Sequence, residues 1–277
     1  MRPFLYAFCA ATSIAFAASQ DPPPRVVDEL TRPLDEVLDR YVRDGYVYYA
    51  ALRQERSGLD GYLRAVASMP AAELNSWPKN RQLAFWINAY NAFVLATVID
   101  HHPIRGSSPL YPPDSIRQVP GAFDRRAFRI GGQSLTLDAI ELDVIATFRD
   151  ARALLALGRG SVGSGRLKSE AYVVDRLDEQ LADMEAEIVT RREMVQIDLV
   201  NNQVSVSPLF SWREREFRAF YMARADARYI ERSPLERAVL GLLAPIVMPL
   251  ESDFLMKNQF SVVFHNYDWR LNDLATR

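Results

Sequence analysis

Apolar residues at Val27, Leu30, Leu34, Val37, Leu38 and Tyr41 recur at steps of three and four, which predicts an amphipathic helix over 26–41. Pro33 suits its first turn or a kink. Gly58 to Met69 predicts another helix, ending before Pro70. The next starts around Pro78 to Gln82 and runs through Leu83 to Ile99 without one charged residue. With two asparagines, that run is too short and too polar for a membrane span and reads as the central buried helix of a soluble domain. Asn88 and Asn91 lie one near-turn apart, so burial obliges both amides to find partners.

From His101 to Gly121 the chain is rich in Pro, Gly and Ser, the composition of a long surface segment. Arg126 to Ile130 then alternates, Gly131-Gly132 turns, and Ser134 to Leu137 resumes, which predicts a hairpin. Asp138 and Glu141 have capping-box spacing at the start of a helix reaching Phe148. A helix is expected over 175–191, and a second hairpin joins Val195 to Leu199 with Val204 to Ser207 across Asn201-Asn202. Trp212 to Met222 and Pro234 to Leu243 read as helices, the latter with Ser233 as cap and Glu236 as its reciprocal partner. A last strand spans Phe260 to Phe264. These elements predict an α+β fold, a helix-rich single domain over 26–277 with a small antiparallel sheet packed on a central buried helix. The alternative is two lobes divided at Pro103 to Pro120.

The first 17 residues change the picture of where this domain works. Met1-Arg2-Pro3 precedes a charge-free run, Phe4 to Gln20, with the small-residue pattern Ala15-Phe16-Ala17. That order reads as a signal peptide over 1–17, followed by a proline-stiffened leader over 18–25, and predicts a periplasmic or secreted protein. Cys9, the sole cysteine, falls inside this segment, so the mature chain has no thiol for disulfides, nucleophilic attack or metal binding. The 277 residues carry 33 Lys+Arg and 35 Asp+Glu, a formal charge of -2. Such a balance gives no reason to expect nucleic acid or anionic membrane as a partner.

Leu83 to Phe93, reading Leu-Ala-Phe-Trp-Ile-Asn-Ala-Tyr-Asn-Ala-Phe, resembles the signature helix of the DUF547 family, a domain of unknown function. Ser134 to Glu141, Val204 to Trp212 and Phe264 to Asn272 resemble three further family segments in the same order. The resemblance implies a histidine after the glutamate of the Asp138 helix, and a middle motif with a second histidine and a cysteine-bearing loop. Here Leu142 follows Glu141, the second histidine would fall on or near Ala153 or Leu154, and the loop holds only Gly, Ser, Arg and Val. The chain thus resembles a divergent member lacking those residues, which marks either a binding or structural descendant or residues that never were the family's chemical core. A looser similarity to papain-like or transglutaminase-like folds concerns fold alone.

The histidines are His101, His102 and His265, without paired-histidine or cysteine spacing, so neither metal nor cofactor is expected. Gly158 to Arg166 offers glycines with Arg159 and Arg166, a superficial anion cradle whose bland reading is a mobile surface loop. Glu141 with Asp143, or Asp268 with Asp273, could be paired carboxylates. The favoured function is noncatalytic binding of a small polar or anionic ligand or a protein partner. Asn88, Tyr90, Asn91, Arg159, Arg166, Tyr267, Asp268, Trp269 and Asn272 are the ligand-binding candidates, although for all of these but the two arginines the favoured reading is a buried network that pins the last strand to the central helix. The enzymatic alternative is a hydrolase or transferase with Ser161 or Ser164 as nucleophile beside His265 and Asp268. A third reading, an interaction module, requires Trp212, Phe217, Phe220 and Tyr221 to form one exposed apolar face.

Overall fold

The computed structural model describes residues 26–276; the segment expected to be a signal peptide and its leader lie outside the described residues. Helix α1 (Arg32–Tyr41) starts with Pro33 in its first turn and buries Leu34, Val37, Leu38 and Tyr41, the stripe read from the sequence. The predicted helix begins six residues earlier, but Pro33 fits only a first turn, because its ring would clash with a preceding one. A two-residue ribbon, β1 (Val42–Arg43) and β2 (Tyr46–Val47), leads to α2 (Tyr49–Gln54), α3 (Ser57–Ser68) and α4 (Ala71–Ser76).

Helix α5 (Lys79–His101) is the centre of the molecule, buried on every side from Gln82 to Ile99. It is long and apolar enough to cross a membrane by composition, yet its apolar window is enclosed by protein. Helices α2 and α3 pack on it, as does the segment Leu137–Phe148. The first hairpin, β3 (Ala127–Ile130) and β4 (Gln133–Thr136), forms in the expected register, with Ile130 opposite Gln133. Burial is continuous from Leu34 to Leu271, one core rather than two lobes.

After β4 the chain makes a single α-turn, α6 (Leu137–Ala139), widens into a π turn over Ile140–Val144 and tightens into a 3-10 turn over Ile145–Phe148. The capping-box reading is corrected here. Thr136 is the cap, its hydroxyl accepting from the Ala139 N–H at 3.1 Å, and Glu141 is turned into the interior. Helices α7 (Arg152–Leu155) and α8 (Leu177–Glu187) follow and pack together. Strands β5 (Val195–Asp198) and β6 (Gln203–Val206) form the second hairpin, with Asn202 in the left-handed region at φ 49°.

Four helices then intervene: α9 (Leu209–Trp212), α10 (Glu214–Tyr221), α11 (Pro234–Leu243), with the Ser233–Glu236 capping box formed, and α12 (Pro249–Lys257). Strand β7 (Ser261–Phe264) joins β6 in parallel, so the sheet is mixed rather than wholly antiparallel. The helical crossover from β6 carries the chain back to the same end of the sheet, which a hairpin turn cannot do. Beyond β7, Val162 and Gly163 donate to the carbonyls of Arg270 and Asp268, both at 2.9 Å, and seat the closing segment over the core.

Candidate functional site

The π turn brings a carboxylate to the centre of the protein. The Glu141 Oε1 accepts from Arg159 Nη2 at 2.8 Å, while Tyr90 of α5 points its hydroxyl at Oε2 from 3.4 Å. Arg213, at the α9–α10 junction, places Nε 3.8 Å from the same Oε1 and Nη2 3.4 Å from Glu216. Its Nε and Nη2 are buried and have no hydrogen-bond partner. Two arginines and the Glu141 carboxylate thus share an enclosed space, with Glu216, which also pairs with the exposed Arg215, at its edge. Burial alone would depress the Arg159 guanidinium; Glu141 overcomes that effect and holds it above the ordinary value. Burial, with Glu141 adding to it, raises Tyr90 well above a normal phenol.

Above this cluster lies an aromatic shelf. Ser161 Oγ is 3.0 Å from the Tyr267 hydroxyl, and the Tyr267 ring sits 4.4 Å from Trp269 and 4.9 Å from Trp212. Trp212 and Trp269 stack at 6.0 Å with their planes 19° apart. Trp212 is 50% exposed and supplies the open ring face. Arg117 lays its guanidinium 4.4 Å over Trp269 and 4.7 Å over Phe123. Asp138 is tied beside it, its N–H donating to the Phe123 carbonyl at 3.0 Å. Among the described residues, neither the Arg117 guanidinium nor the Asp138 carboxyl forms an ion pair or a side-chain hydrogen bond. Partial burial raises the Asp138 carboxyl above the usual range, with Glu141 adding to the rise and Arg117 opposing it.

The sequence candidates divide between these two layers and the scaffold. Tyr90, Arg159 and Ser161 belong to the site, as do Tyr267 and Trp269. Asn88 and Asn91 are scaffold, but they do not hold the last strand. Asn88 exchanges two hydrogen bonds with the backbone of Tyr172, at 2.8 and 2.9 Å, and Asn91 bridges the Ala156 carbonyl and the Gly158 N–H. Asn272 does secure the C-terminal segment, accepting from the Tyr49 hydroxyl at 2.7 Å and donating to the Gly45 carbonyl.

Gly158 to Gly165 is buried rather than a mobile surface loop. Its Gly158, Val162 and Gly163 N–H groups are taken by Asn91 and the closing segment rather than turned toward a ligand. Arg166 leaves this region altogether and pairs with Asp44 and Glu187 on the outside.

The serine mechanism is not assembled. His265 spends one ring nitrogen on Ser205 Oγ at 3.2 Å and the other on the Glu193 carbonyl at 2.9 Å. Asp268 is forked by its neighbour Arg270, Ser164 donates to the Ser161 carbonyl, and Ser161 meets Tyr267. The carboxylate pairs also separate: Glu141 is buried and Asp143 exposed, while Asp273 accepts or shares a proton with His102 at 2.9 Å. His101 caps α5 through the Thr97 carbonyl. Nor do the four aromatics of the interaction-module reading form one face, since Phe217 and Tyr221 are buried and Trp212 is open.

The model of the family described as protein of unknown function, DUF547, matches residues 74–188. Over these residues the chain carries a DUF547 domain. No curated protein and no solved structure matches it. The DUF547 match spans α5, the first hairpin, the π turn and the Gly158 to Gly165 segment, and so includes Tyr90, Glu141 and Arg159. Arg213 and the rings of Trp212, Tyr267 and Trp269 lie beyond the matched residues.

Sequence patterns did not single out Arg117 or Arg213, and pointed to Asp138 only as a helix-start residue. Each stands among several arginines or aspartates, and its neighbours in space come from distant segments. The only local clue was the charge of Arg159 amid glycines and apolar residues, in a segment that proves fully buried.

Proposed function

We propose that this DUF547 protein is a noncatalytic, secreted or periplasmic binding protein whose small polar ligand lies across the Trp212, Tyr267 and Trp269 shelf. The observation that carries the reading is the convergence of an open ring face with an unpaired guanidinium and an unpaired carboxyl. Aromatic faces supply contact area, and a few fixed polar groups orient a ligand. The Glu141, Arg159 and Arg213 cluster holds the floor of the site and takes no part in contact. Secretion is supported by the sequence of residues 1–17 alone.

Native mass spectrometry of gently purified protein tests the binding reading. The expected result is a small non-covalent mass adduct that disappears on denaturation and is absent from the Trp212→Ala variant. An adduct that persists in Trp212→Ala, or a bare mass that stays bare after exposure to a small-molecule filtrate of host-cell extract, overturns it.

A further inference from the structure

The polar groups beside the shelf are a matched pair of opposite type. Arg117 offers only donors, five N–H groups whose flat face is already stacked on Trp269 and Phe123, which leaves its edge free. Asp138, ionised, offers only acceptors, and its backbone N–H bond to the Phe123 carbonyl ties it to the residue whose ring Arg117 covers. Together they carry no net charge. A carboxylate or phosphate ligand would meet Arg117 but be repelled by Asp138, and an ammonium ligand would meet the reverse. A hydroxyl donates and accepts, so neighbouring hydroxyls on one ring satisfy both side chains at once. Such a ring also has an apolar face of C–H groups that can lie on the exposed indole of Trp212.

From this geometry we infer that the shelf takes a saccharide, one sugar ring lying on Trp212 with adjacent hydroxyls shared between Arg117 and Asp138. Ser161, buried and 3.0 Å from the Tyr267 hydroxyl, holds that ring in the shelf from beneath. The inference rests on the proposed ligand-binding role of the shelf and narrows its ligand to a polyhydroxylated ring. It also argues against a ligand chosen for its negative charge.

The test is a glycan array probed with the full mature protein, followed by calorimetric titration of the tightest saccharide against wild type, Trp212→Ala, Arg117→Met and Asp138→Asn. Saturable binding that weakens roughly tenfold or more in Trp212→Ala, and similarly in each polar variant, is expected from the loss of one stacking or hydrogen-bonding contact. Unchanged far-ultraviolet circular dichroism and a single cooperative melting transition show that the variants fold, which the exposed position of Trp212 favours. No binding to any glycan, while a Trp212-dependent adduct of another class is seen by mass spectrometry, overturns the saccharide inference and leaves the binding role standing. Saccharide binding indifferent to all three substitutions overturns the placement on the shelf.

Discussion

Removing the charge of Glu141 is the most informative perturbation of the core. Arg159 is 4% exposed and among the described residues forms its ion pair, at 2.8 Å, with Glu141 alone, so Glu141→Gln leaves a buried guanidinium facing a neutral amide. Breaking one side of a buried pair costs about 3–5 kcal/mol. For a chain of this size that lowers Tm by roughly 6–20 °C. The reverse substitution is gentler. In Arg159→Met the carboxylate still faces Arg213, 3.8 Å from the same oxygen. With an effective dielectric near 20, those two separations correspond to attractions of about 6 and about 4 kcal/mol, so the carboxylate keeps the Arg213 share when Arg159 is removed. Arg159→Met is therefore expected to cost about 1–3 kcal/mol, and Glu141→Gln/Arg159→Met less than the sum of the singles because the two residues share one contact. Urea denaturation followed by circular dichroism gives all three values. A Glu141→Gln protein melting within about 2 °C of wild type, or an Arg159→Met protein less stable than Glu141→Gln, would refute the account of the cluster.

Four further outcomes follow from the same structure. Asn88→Ala strands the N–H and carbonyl of Tyr172 and should cost about 2–6 kcal/mol in urea denaturation, since each unsatisfied buried group costs about 1–3. Gly163→Ala puts a methyl 2.8 Å from the Asp268 nitrogen and 3.0 Å from its carbonyl oxygen; it should displace the closing segment and weaken the near-ultraviolet dichroism of the shelf rings, while Gly61→Ala, whose new methyl has only the end of Arg64 nearby, should not. The Asp138 carboxyl is raised by burial and Glu141, so the folded state binds its proton more tightly than the unfolded chain. Its contribution to stability accordingly falls as pH rises from the unfolded carboxylate range through the raised folded value, and Asp138→Asn should gain in Tm relative to wild type across that window and hold the gain at neutral pH. Finally, the intact mass of protein recovered from the host should correspond to cleavage near Ala17 or Ala18; a mass that includes Met1 to Ala17 would count against secretion.

Periodicity revealed the helices well because each buries its apolar residues on a surface the spacing already defines, as Leu34, Val37, Leu38 and Tyr41 do. The Asn201-Asn202 hairpin and the Ser233 cap were legible for the same reason, being set by neighbours in sequence. The parallel placement of β7 was not, because pairing direction depends on how four intervening helices return the chain. Asp138 and Glu141 misled: their spacing matches a capping box, but Thr136 had already taken the cap and a π turn rotated Glu141 inward. The site itself was half visible. Arg159, Ser161, Tyr267 and Trp269 were among the candidates, while Arg117, Asp138 and Arg213 gain their meaning only from tertiary neighbours such as Phe123 and Glu141.

The four indole N–H signals of the protein offer the most direct test of where a ligand sits. Trp212 and Trp269 stack together on the shelf, Trp86 is buried in α5, and Trp77 lines a separate cavity of about 330 Å³ with Arg81, Asn88 and Tyr172. Nitrogen–proton correlation spectra recorded while a small-molecule filtrate of host-cell extract is added, with each indole assigned by substitution, separate the two places. The account predicts saturable shifts of Trp212 and Trp269 with Trp77 and Trp86 still. Movement of Trp77 while the shelf pair stays fixed would contradict it and transfer the site to that cavity.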